Sequence, residues 1–287
     1  MAPSLNRACI AMATMPAFPR GRVYPLALAM ASATFCVPAS AQTAANESAT
    51  PDIELGSPGA SRWGLGVAAS ASQSPYRGDG SNFGGLPLLY YENAWFRFLG
   101  TSAALKAPTW RLGANNAVSF EGVVKYDGAG YDEDDSSALD GMDERKGGFW
   151  AGGAIAWSNP IARLSASWMT DISSESEGRL FELKLDRRFD FGRLSLTPRL
   201  QAQWLDGKYV DYYFGVRAHE ALANRPRYEG GSGVAQGAGL RMDYRFDGHH
   251  AVFLDLAVTR LPDEIKDSPI VDRSTVSRAT VGYLYRF

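Results

Sequence analysis

A serine hydrolase needs a histidine base beside its nucleophile, and the sequence holds three histidines, His219, His249 and His250. His219 stands in a long polar connection, and His249-His250 follow Asp247-Gly248, a good hairpin turn; neither place carries a recognisable serine motif. Gly231-Ser232-Gly233 resembles a nucleophile elbow in composition only, because the elbow needs a strand-to-helix turn that its surroundings do not offer. The run Asp132-Glu133-Asp134-Asp135, with Asp140, Asp143 and Glu144 nearby, could gather calcium or magnesium. It lacks the glycine and terminal glutamate of an EF-hand loop and reads as a solvated acidic loop. The sequence therefore predicts no enzyme, no cofactor and no metal site.

The elements that must carry these residues alternate with a period of two. Thr275 to Phe287 puts Phe287, Tyr285, Tyr283, Val281 and Ala279 on one face and Arg286, Leu284, Gly282, Thr280 and Arg278 on the other. The same pattern recurs from Trp63 onward, as in Trp63, Leu65 and Val67 against Gly64, Gly66 and Ala68, or Leu240, Met242 and Tyr244 against Arg241, Asp243 and Arg245. Apolar faces end in aromatics (Trp157, Trp168, Trp204, Phe246), as membrane girdles do, while the opposite faces mix glycine with charge, as a hydrated barrel interior does. The expected fold class is all-β: an antiparallel transmembrane β-barrel. Its inward charges, Arg193, Arg199, Arg241, Arg245, Arg278 and Arg286 against Glu121, Glu182, Asp186, Asp243 and Asp255, are expected to pair and narrow or plug the lumen.

Connections alternate between short (158–160, 190–192, 247–249) and long (128–147, 206–232, 261–274), which puts the long loops outside and the carboxyl terminus in the periplasm. The strand count turns on residues 86–110, where Phe96 and Phe98 share one phase and Leu105 takes the other. A tight turn near Gly100 to Ser102 gives twelve strands and a merged pair gives ten; twelve is the reading adopted here. Asp211, Tyr212, Tyr213 and Phe214 crowd aromatics into one long connection. They continue a strand above the membrane, fold over the barrel mouth, or offer a partner a contact surface. Asp263 and Asp267 lie in a second loop expected to pack against the first.

The first 41 residues carry Arg7, Arg20 and Arg22, an apolar stretch from Val23 to Val37 and Ala39-Ser40-Ala41, the pattern of a cleaved export signal. Both cysteines, Cys9 and Cys36, fall within it. Residues 42–61 form a small, polar lead-in, and residues 62–287 the barrel. Three of the 29 basic residues and none of the 31 acidic ones lie before Gln42, so the mature chain is mildly acidic and no nucleic-acid partner is expected.

Ser74-Pro75-Tyr76-Arg77-Gly78, Leu205 to Val216 (LDGKYVDYYFGV), Thr259 to Arg273 (TRLPDEIKDSPIVDR) and the terminal Y-x-Y-x-F resemble the MipA/OmpV family of outer-membrane proteins over nearly all of the mature chain. The resemblance implies a cell outer-membrane location. It also implies a non-enzymatic scaffold that brings a lytic transglycosylase together with a penicillin-binding protein, or an adhesion- and osmolarity-linked protein. A narrow solute channel is the other reading of the barrel. Outer-membrane lipid and lipopolysaccharide are expected partners. So is the outer-membrane insertion machinery, for which Tyr283, Tyr285 and Phe287 are the expected assembly signal.

Overall fold

Backbone pairing follows the alternation closely. The computed structural model describes residues 61–287, so the expected export signal and almost all of the lead-in lie outside the described residues. The chain runs through β1 (Arg62–Gln73), β2 (Ser81–Glu92), β3 (Phe96–Leu99), β4 (Ser102–Lys106), β5 (Trp110–Gly113), β6 (Asn116–Asp127) and β7 (Gly148–Ser158). It continues through β8 (Arg163–Asp171), β9 (Arg179–Asp186), β10 (Phe189–Phe191), β11 (Leu194–Leu205), β12 (Gly233–Arg245), β13 (His250–Arg260) and β14 (Thr275–Arg286). Helices α1 (Gly207–Phe214) and α2 (Asp263–Lys266) stand in the connections after β11 and β13. All ladders are antiparallel, and β14 pairs with β1 from Gly64↔Arg286 to Ser72↔Arg278, so the ring closes.

These segments make twelve staves. β4 and β5 lie end to end along β6, but Lys106 stands opposite Glu121 and Trp110 opposite Val118, so one extra residue is bulged out around Pro108. β9 and β10 keep one register along β11. Pro198 of β11 faces the gap between them and has no N–H to give, although its carbonyl still accepts from the Arg187 N–H at 3.3 Å.

The phase change before Leu105 has a simple cause. Leu99 pairs with Ser102 across the two-residue turn Gly100-Thr101, where Gly100 has φ 56°, a left-handed conformation that glycine adopts without penalty. Phe98 then stands opposite Ala103 and Phe96 opposite Leu105. An even-numbered face is joined to an odd-numbered one, and the apolar side stays continuous.

That apolar side faces outward. Val67 is 62% exposed, Leu105 65% and Phe83 72%, and leucines, valines and aromatics from most other staves join them. A water-soluble barrel would bury this face; a membrane barrel presents it to lipid. Inside, the wall is lined by serine, glycine, glutamine and charge. The apolar core lies elsewhere: a small cluster of Tyr90, Leu99 and Leu284 in the lumen, and a far larger one at the end that carries the long connections.

Candidate functional site: the plugged mouth and the lumen

Helix α1 starts where Asp206 accepts a hydrogen bond from the Tyr209 N–H (2.9 Å), the arrangement that satisfies a free donor of the first turn. Its buried residues, Tyr209, Val210, Tyr213 and Phe214, recur at helical spacing and form one face. That face points into the barrel mouth. Tyr76 of the first loop stacks on Phe214 at 5.7 Å and meets Tyr131 edge-on at 4.8 Å. Its hydroxyl donates to the Tyr213 carbonyl (3.2 Å). Ser268, just after α2, donates to the Phe214 carbonyl (2.6 Å), and Tyr228 to the Glu264 carbonyl (2.9 Å).

This lid is rooted in the barrel. Trp150, Met169, Leu180, Leu205, Ala235 and Val276, from six different strands, are buried in the same cluster as the lid residues Tyr76, Leu139, Tyr209, Phe214 and Ile265. The loops therefore form a packed plug seated in the mouth, with dispersion and burial holding it. Replacing Asp206 with alanine removes the cap of α1 and is expected to weaken the lid by about 1 kcal/mol. Faster amide exchange in α1, with the barrel strands unchanged, is the readout.

The charged groups at the centre of the plug are paired, while Trp150 Nε1 is buried without a hydrogen-bond partner among the described residues. Arg145 donates from Nη2 to Glu220 Oε1 (2.8 Å) and Oε2 (3.0 Å), from Nε to the Tyr212 carbonyl (2.7 Å) and from Nη1 to the Asp143 carbonyl (2.7 Å). The side chains of Arg145 and Glu220 are 1% and 0% exposed. Burial alone would raise the Glu220 carboxyl, but the Arg217 N–H, Arg145 and the Asp143 N–H hold it below the ordinary glutamate value. Arg225 ties the carbonyls of Ala138, Asp140 and Glu220 together.

Asp143, His219 and Glu220 bring three ligand-type groups within 4.8 Å. Both Glu220 oxygens are taken by Arg145, however, and Asp143 Oδ2 accepts from Arg217 (2.5 Å) beside His219 Nε2 (3.0 Å). Hydrogen bonding to His219, opposed by some burial and helped by Arg217, lowers the Asp143 carboxyl. Two guanidinium groups already supply the positive charge, so the cluster is an ion-pair clasp between two loops and does not suit a cation.

Below the plug a cavity of about 230 Å³ occupies the barrel axis. Two inward ion pairs expected from the sequence form here: Arg199 forks onto Asp255 with two bonds of 2.7 Å, and Arg241 lies beside Asp243 (2.9 Å). Arg199 can cross β12 only because Gly239 is bare there; a Cβ would stand 2.6 Å from the guanidinium carbon. Arg97 takes Glu121 at 2.6 Å. The charges line the cavity without filling it, and the mouth is closed by the apolar lid rather than by these pairs.

One stretch of wall is low. β3 covers only Tyr90 to Glu92 of β2, and the Gly100-Thr101 turn caps the β3–β4 hairpin. Thr101 accepts from the Tyr126 N–H (3.0 Å), close to the loop end of β6. Among the described residues, Ser81 to Leu88 of β2 have no ladder partner on that side. The notch spans three inter-strand spacings, about 14 Å, and is bridged above where Ser136 donates to the Arg77 carbonyl (2.7 Å). Gly84, Leu86, Leu88, Gly100 and Thr101 border it and also line the axial cavity.

The structure separates the residues that the sequence offered as partner contacts. Tyr213 and Phe214 point into the plug, at 1% exposure each, and Tyr212 is half-buried with its hydroxyl accepting from the Lys146 N–H (2.9 Å). Asp211, Asp263 and Asp267 remain on the lid surface. Tyr283, Tyr285 and Phe287 face outward at the other end of the barrel, where Tyr285 and Phe287 meet edge-on at 5.0 Å and the Phe287 N–H bonds to the Trp63 carbonyl (3.0 Å). Gly231-Ser232-Gly233 leads directly into β12. Sequence reasoning missed Arg145, Glu220, Tyr76 and Trp150. The only local signal was at α1, where Asp206 precedes apolar residues spaced as on a helix.

The sequence profile of the family described as MltA-interacting protein MipA matches residues 65–287. Among curated proteins, the putative outer membrane protein YiaT of Escherichia coli K12 is 27% identical over 229 residues, covering 79% of this chain and 92% of its own. The MltA-interacting protein of the same strain is 27% identical over 232 residues, 79% of this chain and 90% of its own. Outer membrane protein OmpV of Vibrio cholerae is 26% identical over 226 residues, 77% and 86% of the two chains. Among solved structures, the NanC porin superposes with a TM-score of 0.41 at 7% identity, covering 79% of this chain and 99% of its own.

Proposed function

Because the chain belongs to the MltA-interacting protein MipA family of outer-membrane barrels, we propose that it works as a non-enzymatic scaffold in that membrane rather than as an open pore. The observation that carries this reading is the plug: twenty buried apolar residues from the loops and strand ends form one cluster across the loop-bearing mouth. A general diffusion pore keeps that mouth wet. A scaffold needs only a rigid barrel with surfaces to dock on.

The partners proposed are a lytic transglycosylase and a penicillin-binding protein. A relative named for interaction with MltA aligns over 90% of its length. Such enzymes work in the periplasm, so they would meet the short-turn end of the barrel or the lead-in of residues 42–61. Asp211, Tyr212, Asp263 and Asp267, on the opposite end, would instead meet partners outside the cell.

Two measurements test this. In planar bilayers the purified protein is expected to give no single-channel steps; regular steps would favour the channel reading. A lytic transglycosylase is expected to co-purify with the full chain and less well with one lacking residues 42–61. Equal recovery would remove the lead-in from the proposal, and no recovery with either chain would remove the scaffold.

A further inference from the structure

The axial cavity is chemically two-sided. Its wall beside the notch carries Leu86, Leu88, Leu99 and Leu284, and Leu86 is 39% exposed although it faces inward. Across the ring, on β9, β11 and β12, stand Lys184, Arg199 and Arg241. The lining holds seven lysines and arginines (Arg97, Lys125, Arg163, Lys184, Arg199, Arg241, Arg278) against four carboxylates (Glu121, Asp127, Glu182, Asp255) and two more set against its arginines, Asp186 opposite Arg163 and Asp243 beside Arg241. Cations outnumber anions in a space of low dielectric, where an unmatched charge attracts strongly.

One of those cations, Lys184, has no charged neighbour across its ladders, and Arg241 stands with it in the lining. Lys184 stands between Ser165 and Gln201 in its ladders, neither of them charged. Arg241 is 8% exposed and lies over the Phe253 ring at 4.2 Å, which fixes its plane. Its Nε donates to both Asp243 oxygens at 3.1 Å and its Nη2 lies 2.9 Å from Oδ1, so this guanidinium is already paired.

Access follows from the same geometry. The plug seals the loop-bearing mouth, while the notch between β2 and the β3–β4 hairpin interrupts the wall and borders the cavity with apolar side chains. The residues that flank it on the outer surface, Phe83 and Leu105, are exposed to the membrane side. We infer that the lumen is a binding site for a single-chain amphipathic anion, entered sideways from the membrane through this notch, with the acid group on Lys184 and the chain against Leu86 and Leu88. The ligand class is a fatty acid or similar alkyl carboxylate. A hydrophilic anion would have no use for the apolar entry, and a neutral alkyl compound would leave Lys184 unmet.

The full chain in lipid nanodiscs can be titrated with cis-parinaric acid, a fatty acid whose fluorescence rises in apolar surroundings, against protein-free discs, and the bound probe displaced with competitors. Dodecanoate is expected to displace it at least tenfold more effectively than dodecanol, and citrate not at all. Lys184→Gln is expected to weaken binding about tenfold. Leu86→Trp, which fills the notch, is expected to slow uptake and release together. Heat-modifiable gel mobility confirms that both variants are folded. Equal displacement by dodecanol, full displacement by citrate, or wild-type affinity and rates in both folded variants would each overturn the inference.

Discussion

Replacing Arg145 with alanine will open the lid while leaving the barrel wall closed. The substitution removes the cation that meets both oxygens of Glu220 and leaves that carboxylate, 0% exposed, with only backbone donors from Asp143 and Arg217. It also frees the carbonyls of Tyr212 and Asp143 and empties the space between the Tyr131 and Tyr212 rings, whose centroids lie 5.6 and 5.8 Å from the guanidinium carbon. Breaking a buried pair from one side costs about 3–5 kcal/mol, which would raise the open population of the lid by roughly two to four orders of magnitude. Amide exchange in residues 128–147 and 207–230 should rise accordingly, and protease should cut there first. Unchanged exchange would mean that apolar packing alone seats the plug.

The same pair sets a pH dependence with a definite sign. The folded Glu220 carboxyl titrates below its unfolded value, so its contribution is fully present above about pH 4.3, the ordinary glutamate value. It is lost as the pH falls through the lower folded value. Glu220→Gln should flatten that acid limb of lid opening. Because Arg145 and Glu220 touch, the double variant should cost less than the sum of the two single ones.

Deleting Phe287 will reduce outer-membrane yield more than any single lid substitution, because assembly and folded-state stability depend on it very differently. In the closed barrel Phe287 contributes one ladder bond, to the Trp63 carbonyl, and its ring is 71% exposed. Nine register pairs between β1 and β14 remain without it. Refolding into detergent should therefore be close to normal. In cells, the exposed aromatic edge of Tyr283, Tyr285 and Phe287 is proposed to be what the insertion machinery selects, and its loss should lower folded protein several-fold. Normal yield in cells would sink the assembly-signal proposal; poor refolding in detergent would show that Phe287 matters for stability instead.

The barrel was legible in the sequence because its cause is local. A side chain's face is set by its parity, so Tyr283 and Arg286 declare opposite sides without knowledge of any other strand. The one place where parity failed, before Leu105, was a real two-residue turn. The bulge at Pro108 came three residues later and was hidden behind it. The lid was not legible for the opposite reason. Arg145 meets Glu220, 75 residues away, and Tyr76 meets Phe214 across 138 positions. No period announces such contacts. Asp206 and the spacing of Tyr209, Val210 and Tyr213 carry a helix signal that the expectations from sequence leave unused; there these aromatics continue a strand, fold over the barrel mouth, where they lie, or offer a contact surface. Their burial in the mouth depends on Trp150 and Val276, which lie far from them in the chain.

The plug also fixes a sequence of events. Its cluster joins Tyr76, just after β1, to Trp150 from β7, Leu205 from β11 and Val276 from β14, so it is complete only once the first and last staves have met. Contacts this distant in the chain bear a heavy loop-closure cost unless the wall has already brought them together. Lid ordering must come after ring closure. During insertion the loop-bearing end of the barrel is then expected to stand open, and the cap to set last, once the membrane-spanning wall is complete.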